Sequence, residues 1–200
     1  MLLVIDSATA ACSVALLDAD GALLDGAHEV VGRGHAERLL PMIETVLAGR
    51  RPSAILVDCG PGSFTGVRVG LAAARGLGIG WGVPVSGYCS MALIAAASGE
   101  REAAVALIGG HGELFVQDYG GDPIAPLDEL RSLPPDAAAA AIATPLVLGS
   151  GARALVEARG GGEWRDALPR AADAWALPPA LRNLPPRPIY GRGPDAKPMT

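Results

Sequence analysis

Residues 60–66, Gly-Pro-Gly-Ser-Phe-Thr-Gly, open a stretch running to Gly80 that carries seven glycines. A glycine turn leading into a helix favours phosphate, because free backbone N–H groups and the positive end of the helix dipole both attract an anion. The nucleotide-binding P-loop needs a lysine directly after its closing glycine, and here Val67 follows Gly66. The dinucleotide fingerprint needs a third glycine where Thr65 stands. What remains is a turn whose amides can cup an anion, or a plain strand-to-helix connection, with Ser63 or Thr65 as the cap. Asp6 closes the apolar run 2–5, a position where α/β folds place a catalytic or magnesium-positioning carboxylate; the competing reading is an Asp that caps a turn. His28, His35 and His111 form no i+3 or i+4 pair, so they make no helical metal site, and His35 reads as a capping or packing residue. Gly149-Ser150-Gly151 lacks the spacing of a nucleophile elbow. Cys12, Cys59 and Cys89 contain no CxxC pair and read as free thiols of a reducing compartment.

The glycines pose a second question. From Val67 the stretch has helical character, and interior glycines such as Gly70, Gly76 and Gly78 each cost a helix roughly 1 kcal/mol relative to alanine. Gly66, Gly70, Ala74 and Gly78 stand four apart and form a stripe of minimal side chains along one side. Another backbone can approach there, from the same chain or from a partner subunit, and dispersion contacts at that range offset the penalty.

Around these residues the pattern predicts strands over 2–5, 12–17 and 22–29, the last two joined by the turn Asp18-Ala19-Asp20-Gly21. A helix follows over 35–47, where Leu39, Leu40, Ile43, Val46 and Leu47 recur at helical spacing before Gly49 and Pro52. Strands are expected at 54–57 and 83–86, with the glycine helix between them and a third helix over 91–97. The polar segment 98–102 marks a boundary between residues 1–100 and 101–200. Beyond it the pattern gives strands at 103–108, 113–119 and 145–148, a short helix in the alanine run near 140, a helix to about Arg159, and an irregular proline-rich end.

With 50% hydrophobic but only 4% aromatic residues in 200, the core must be built from small aliphatic side chains. The net charge is −5 and Lys197 is the only lysine, so no basic face announces nucleic acid or an anionic membrane. Arg182, Arg187, Arg192 and Lys197 outweigh Asp195 in the tail, but such dispersed cations read as solvated. The first residues lack a signal peptide's basic region and no run reaches the length of a membrane span, so a cytoplasmic protein is expected.

Four motifs in order resemble the TsaB (YeaZ) family. "LLVIDSATAACSVALLD" is similar to its opening hairpin AIDTATxxxSVAL, "GHAERLLPMIETVL" to its first-helix signature, "GPGSFTGVRVGLAAARGLG" to its most distinctive segment, and "PPRPIYGRGPDAK" to its closing PxYxRxPxAK. The resemblance implies an α/β fold of the actin-like ATPase (ribonuclease H-like) class, with two lobes of mixed sheets flanked by helices and the second lobe reduced. It implies a non-catalytic partner and activator of TsaD in threonylcarbamoyl transfer to the adenosine 3′ to the anticodon of tRNAs that read ANN codons. TsaE joins that complex, tRNA is met only through it, and the subunit needs no cofactor, although a nucleotide at the interface with TsaD fits the family. In isolation the same helices allow a homodimer.

On this resemblance the partner interface falls on Arg38, Pro41, Met42, Thr45, Arg68, Gly70, Leu71, Ala74, Arg75 and Gly78, and Asp6, Ser7 and Thr9 form a vestigial nucleotide site. The superfamily's phosphate loop, DxGxT, puts a glycine two residues after the aspartate, whereas Asp6 is followed by Ser7 and Ala8. The HxxxH metal pair of TsaD is missing as well, since Leu39 stands four residues after His35. The family's second-lobe DARxGEVY appears as Gly109-Gly110-His111-Gly112-Glu113-Leu114-Phe115, without its Asp and Arg. The alternative is an active nucleotide-dependent phosphotransferase or hydrolase of the same superfamily, with Asp6 as its acid or magnesium group; a metallopeptidase lacks any ligand set.

Overall fold

The computed structural model describes residues 1–32 and 34–191. Strands β1 (Leu2–Asp6), β2 (Ala11–Leu17) and β3 (Leu23–Val30) form an antiparallel meander, followed by α1 (His35–Leu47), β4 (Ala54–Asp58), α2 (Phe64–Trp81), β5 (Val85–Tyr88) and α3 (Ser90–Ala97). The sheet order is β3-β2-β1-β4-β5, with β4 parallel to both β1 and β5.

Alternation sorts the two faces of this sheet. Leu3, Ile5, Val14 and Leu16 point to the side covered by α1 and α2, while Val4, Ala15, Leu17 and Leu56 point to the side covered by α3 and the second sheet. Helix α1 buries Leu39, Met42, Ile43, Val46 and Leu47 at helical spacing and ends where Ala48 (φ 45°) and Gly49 (φ 80°) turn left-handed. Helix α2 is capped by Ser63, whose Oγ accepts from Gly66 N at 3.2 Å.

The second sheet is wound in the same order with shorter parts. Its elements are β6 (Glu102–Ile108), β7 (Leu114–Gly120), β8 (Ala125–Pro126), β9 (Arg131–Leu133), α4 (Pro135–Ala141), β10 (Leu146–Leu148), α5 (Ala152–Arg159) and β11 (Glu163–Arg165). The strand order is β11-β10-β6-β7-β8, and β9 also pairs with β7. Ala104, Ala106 and Val147 pack on α4 and α5; Ala103, Val105 and Leu107 pack on α3. Strands β8, β9 and β11 fall in stretches where the pattern predicts none, and the strand expected at 83–86 lies two residues later.

The chain then returns to the first sheet. A 3-10 turn over Ala171–Ala176 lies against β2, where Ala171 N donates to Ser13 Oγ at 3.0 Å. After a second 3-10 turn, Pro179–Arg182, Leu184 exchanges both backbone hydrogen bonds with Gly87 at the β5 edge, and Ile189 N donates to Cys59 O at 2.8 Å. The closing motif runs past Gly191, so Arg192 and Lys197 lie outside the described residues. Among the described residues no helix is long and apolar enough to cross a membrane.

Candidate functional site

Ile5 and Val57 are register partners on parallel strands, so the next residues, Asp6 and Asp58, end β1 and β4 side by side. Both are buried. Tyr88, at the end of β5, donates its hydroxyl to Asp6 Oδ2 at 2.6 Å. Asp58 accepts from Ser90 Oγ at 2.8 and 2.9 Å and from Gly60 N at 2.8 Å. Burial raises the Asp6 carboxyl well above its ordinary range, and the neighbouring Asp58 charge raises it further. Burial also lifts Asp58, to about 6, against the hydrogen bonds from Gly60 and Ser90 that favour its ionised form. The pair therefore holds protons more readily than free carboxylates do, and Asp58, better supplied with donors, is the member whose ionised form is better supported.

Asp58, Tyr88 and Ser90 were not among the residues that chain spacing singles out. A signal existed: 54–57 followed by Asp58 repeats the pattern of 2–5 followed by Asp6. Tyr88 and Ser90 join only through the β4–β5 pairing.

The glycine turn lies directly on this pair. Ser63 N donates to Ala8 O at 2.6 Å, and Ser7 Oγ donates to Gly66 O at 2.9 Å. A Cβ on Gly62 would run into the Ala8 carbonyl, and one on Gly66 into the Ser7 carbonyl. These glycines let two stretches of the same backbone touch. Of the proposed vestigial residues, Asp6 and Ser7 are buried, and partly buried Thr9 accepts from Ala11 N at 3.3 Å. His35 packs inside, its Nε2 3.3 Å from Ala11 O.

The stripe on α2 also faces inward. A Cβ on Gly70 would come within 2.5 Å of Ser7 Oγ and 3.7 Å of Val57 Cγ2, and one on Gly78 within 2.5 Å of Val85 Cγ2. Ala74 and Leu71 are buried in the same core, as is Met42 from α1. Met42, Gly70, Leu71, Ala74 and Gly78, which the resemblance places at the partner interface, thus face their own sheet in this conformation. The close neighbour is the sheet of the same lobe rather than another helix.

The outward faces carry the rest. Arg38, Pro41 and Thr45 are exposed on α1, where Arg38 chelates Glu29 with contacts of 2.6 Å and Thr45 Oγ1 donates to Pro41 O at 2.9 Å. On α2, Arg68 lies 3.2 Å from the Phe64 ring centroid and donates to Tyr190 Oη at 3.0 Å, while Arg75 donates to Pro186 O at 2.5 Å. Leu40 is 55%, Phe64 68% and Ile79 84% exposed. Gly76 and Gly80 have open space where a side chain would stand. Among the described residues no three His, Cys, Asp or Glu side chains cluster as a metal site would require.

A family model described as TsaD, tRNA N6-adenosine threonylcarbamoyltransferase, matches residues 28–127. A solved Pseudomonas aeruginosa protein, described as having similarity to the peptidase YeaZ, superposes with a TM-score of 0.80 at 30% identity, over 96% of this chain and 99% of that one. The chain belongs to the TsaB (YeaZ) family. The Escherichia coli protein named tRNA threonylcarbamoyladenosine biosynthesis protein TsaB is 36% identical over 131 residues, 60% of this chain and 55% of that relative. The chain thus spans about half the length of this curated TsaB relative. Fold alone is shared with the ethanolamine utilization protein EutJ from Carboxydothermus hydrogenoformans, at TM-score 0.52 and 15% identity over 90% of this chain. The two-sheet winding is that of the actin-like ATPase fold, here in its TsaB form.

Proposed function

We propose that this chain is a non-catalytic subunit in the formation of threonylcarbamoyladenosine on tRNA, and that it docks TsaD through the outer faces of α1 and α2. Membership of the TsaB family supports the pathway. The observation that carries the docking role is the outer face of α2. Interior helix glycines with no neighbour cost roughly 1 kcal/mol each, and Gly76 and Gly80 have no contact within their own chain that offsets this. On the same helix Phe64 and Ile79 keep large apolar surface exposed, which suits a partner. The interface residues of this reading are therefore Arg38, Pro41, Thr45, Arg68 and Arg75 from the motif resemblance, joined by Leu40, Phe64, Gly76 and Ile79.

Charge supports a specific geometry. Helix α2 carries Arg68 and Arg75 and no carboxylate, while α1 presents Glu37 and Glu44; each pair is seven residues, or two turns, apart. Such faces suit a helical partner of opposite pattern, TsaD in the complex or a second copy in isolation. The closed strand ends support passivity, because Asp6 and Asp58 are sealed under Ser7, Ala8 and the glycine turn. On this reading the subunit needs no metal or nucleotide of its own, TsaE and tRNA are met through the complex, and the protein works in the cytoplasm.

The test is co-purification with TsaD of the same organism, then a modification assay with and without this chain. Modification that depends on the chain, with no ATP turnover by the chain alone, is expected. Turnover by the chain alone that is lost in Asp6→Ala overturns the reading in favour of a phosphotransferase or hydrolase.

A further inference from the structure

A groove of about 520 Å3 lies away from the α1–α2 face, between the end of α3, the β7–β8 turn and the two 3-10 turns of the returning chain. Its lining mixes Ile124, Leu177 and Pro178 with two arginines, Arg101 and Arg182. The Arg182 guanidinium carbon sits 3.9 Å from the centroid of the Trp175 ring. That ring is itself fixed, because it packs where a Cβ on Gly21 (φ 87°) would stand. Arg182 is thus half-buried and held flat, yet among the described residues it makes no hydrogen bond or ion pair. Its basicity is lowered by burial. Exposed Arg101 also makes no side-chain hydrogen bond or ion pair among the described residues. Arg165 differs, spending its donors on Glu100 and Glu163.

A planar guanidinium with its donor fork unspent and its face already stacked has little left to lose on binding an oxyanion. Of the two carboxylates in the lining, Glu100 is already held by Arg165, which leaves Asp122 against the two arginines. A phosphomonoester presents three terminal acceptor oxygens and can engage both guanidinium forks at once, which the two oxygens of a carboxylate do less well. The volume lies within the range of small-molecule sites, and the proline and aliphatic wall suits a flat or apolar body. We propose that this groove binds a small phosphomonoester of the nucleoside monophosphate class, its phosphate held by Arg182 and Arg101 and its body laid against Pro178, Leu177 and Ile124.

The test is calorimetric titration of the full chain at fixed salt with AMP, inorganic phosphate, adenosine and benzoate. AMP is expected to bind about tenfold more tightly than any of the other three. Arg182→Ala is expected to weaken AMP by about tenfold or more, as loss of a charge-assisted hydrogen-bonding group does. Because Arg182→Ala also uncovers Trp175, Arg101→Ala serves as the second variant; it breaks no side-chain hydrogen bond or ion pair among the described residues and is expected to weaken AMP severalfold. No binding of AMP at about 10 mM, where even a millimolar site would be filled, overturns the proposal. So does AMP binding unchanged in both variants, or benzoate binding as tightly as AMP.

Discussion

The two lobes follow one winding order, yet the ends of their central strands are built differently. In the first, β1 and β4 finish in Asp6 and Asp58, and the turn after β4 presses Gly62 and Gly66 onto Ala8 and Ser7. In the second, β6 and β10 finish in aliphatic residues, and the turn after β10 presses Gly149 onto the Ala106 carbonyl, with Ser150 Oγ accepting from Ile108 N at 3.2 Å. Both lobes use glycine to bring the turn's backbone onto the neighbouring strand end. Only the first keeps charge there, and it is also the lobe with long helices, of 13 and 18 residues against 7 and 8. The difference teaches that the glycine turn is a packing device common to both halves, whereas the outward helix faces belong to the first alone.

The largest effect is expected from filling the inward stripe. Gly70→Leu drives a side chain into Ser7 and Val57 and should destabilise the fold by about 3 kcal/mol or more, read by denaturant unfolding. A stable Gly70→Leu variant would mean that the stripe is not sealed. The outward Gly76→Ala should do the reverse and raise stability by up to about 1 kcal/mol, since its Cβ meets nothing.

The acid pair separates the lobes by pH. Asp58 is pushed up to about 6 and Asp6 is raised well above the ordinary aspartate range, so the folded chain binds more protons than the unfolded one above about pH 4. Their contribution is fully present below about pH 4 and is lost as pH rises through 6 and beyond. Asp6→Asn mimics the protonated member, keeps an acceptor for Tyr88, and should recover on the order of 1–2 kcal/mol at pH 8 with little change at pH 4. A parallel shift at both pH values would show that these carboxyls do not set the pH dependence.

The order of strands and helices through residue 97 could be read from the chain, because runs such as 2–5 and 54–57 are long enough to show burial and α1 shows its period over three turns. The short strands β8, β9 and β11, of two or three residues, offer no alternation to detect. Spacing identified the small-residue stripe but not its direction, since Gly66, Gly70, Ala74 and Gly78 look the same whether a sheet or a subunit lies over them. The tail's contacts, Tyr190 on Arg68 and Pro186 on Arg75, join residues more than a hundred positions apart and leave no local trace.

A smaller structural effect but the sharpest functional one is expected at Ile79, where a charge on the outer face should cost the fold less than about 0.5 kcal/mol. The decisive measurement is the affinity of Ile79→Asp for TsaD by calorimetry, with the melting temperature as control. A loss of about tenfold or more at unchanged melting temperature is predicted. Wild-type affinity in that folded variant would contradict docking through this face.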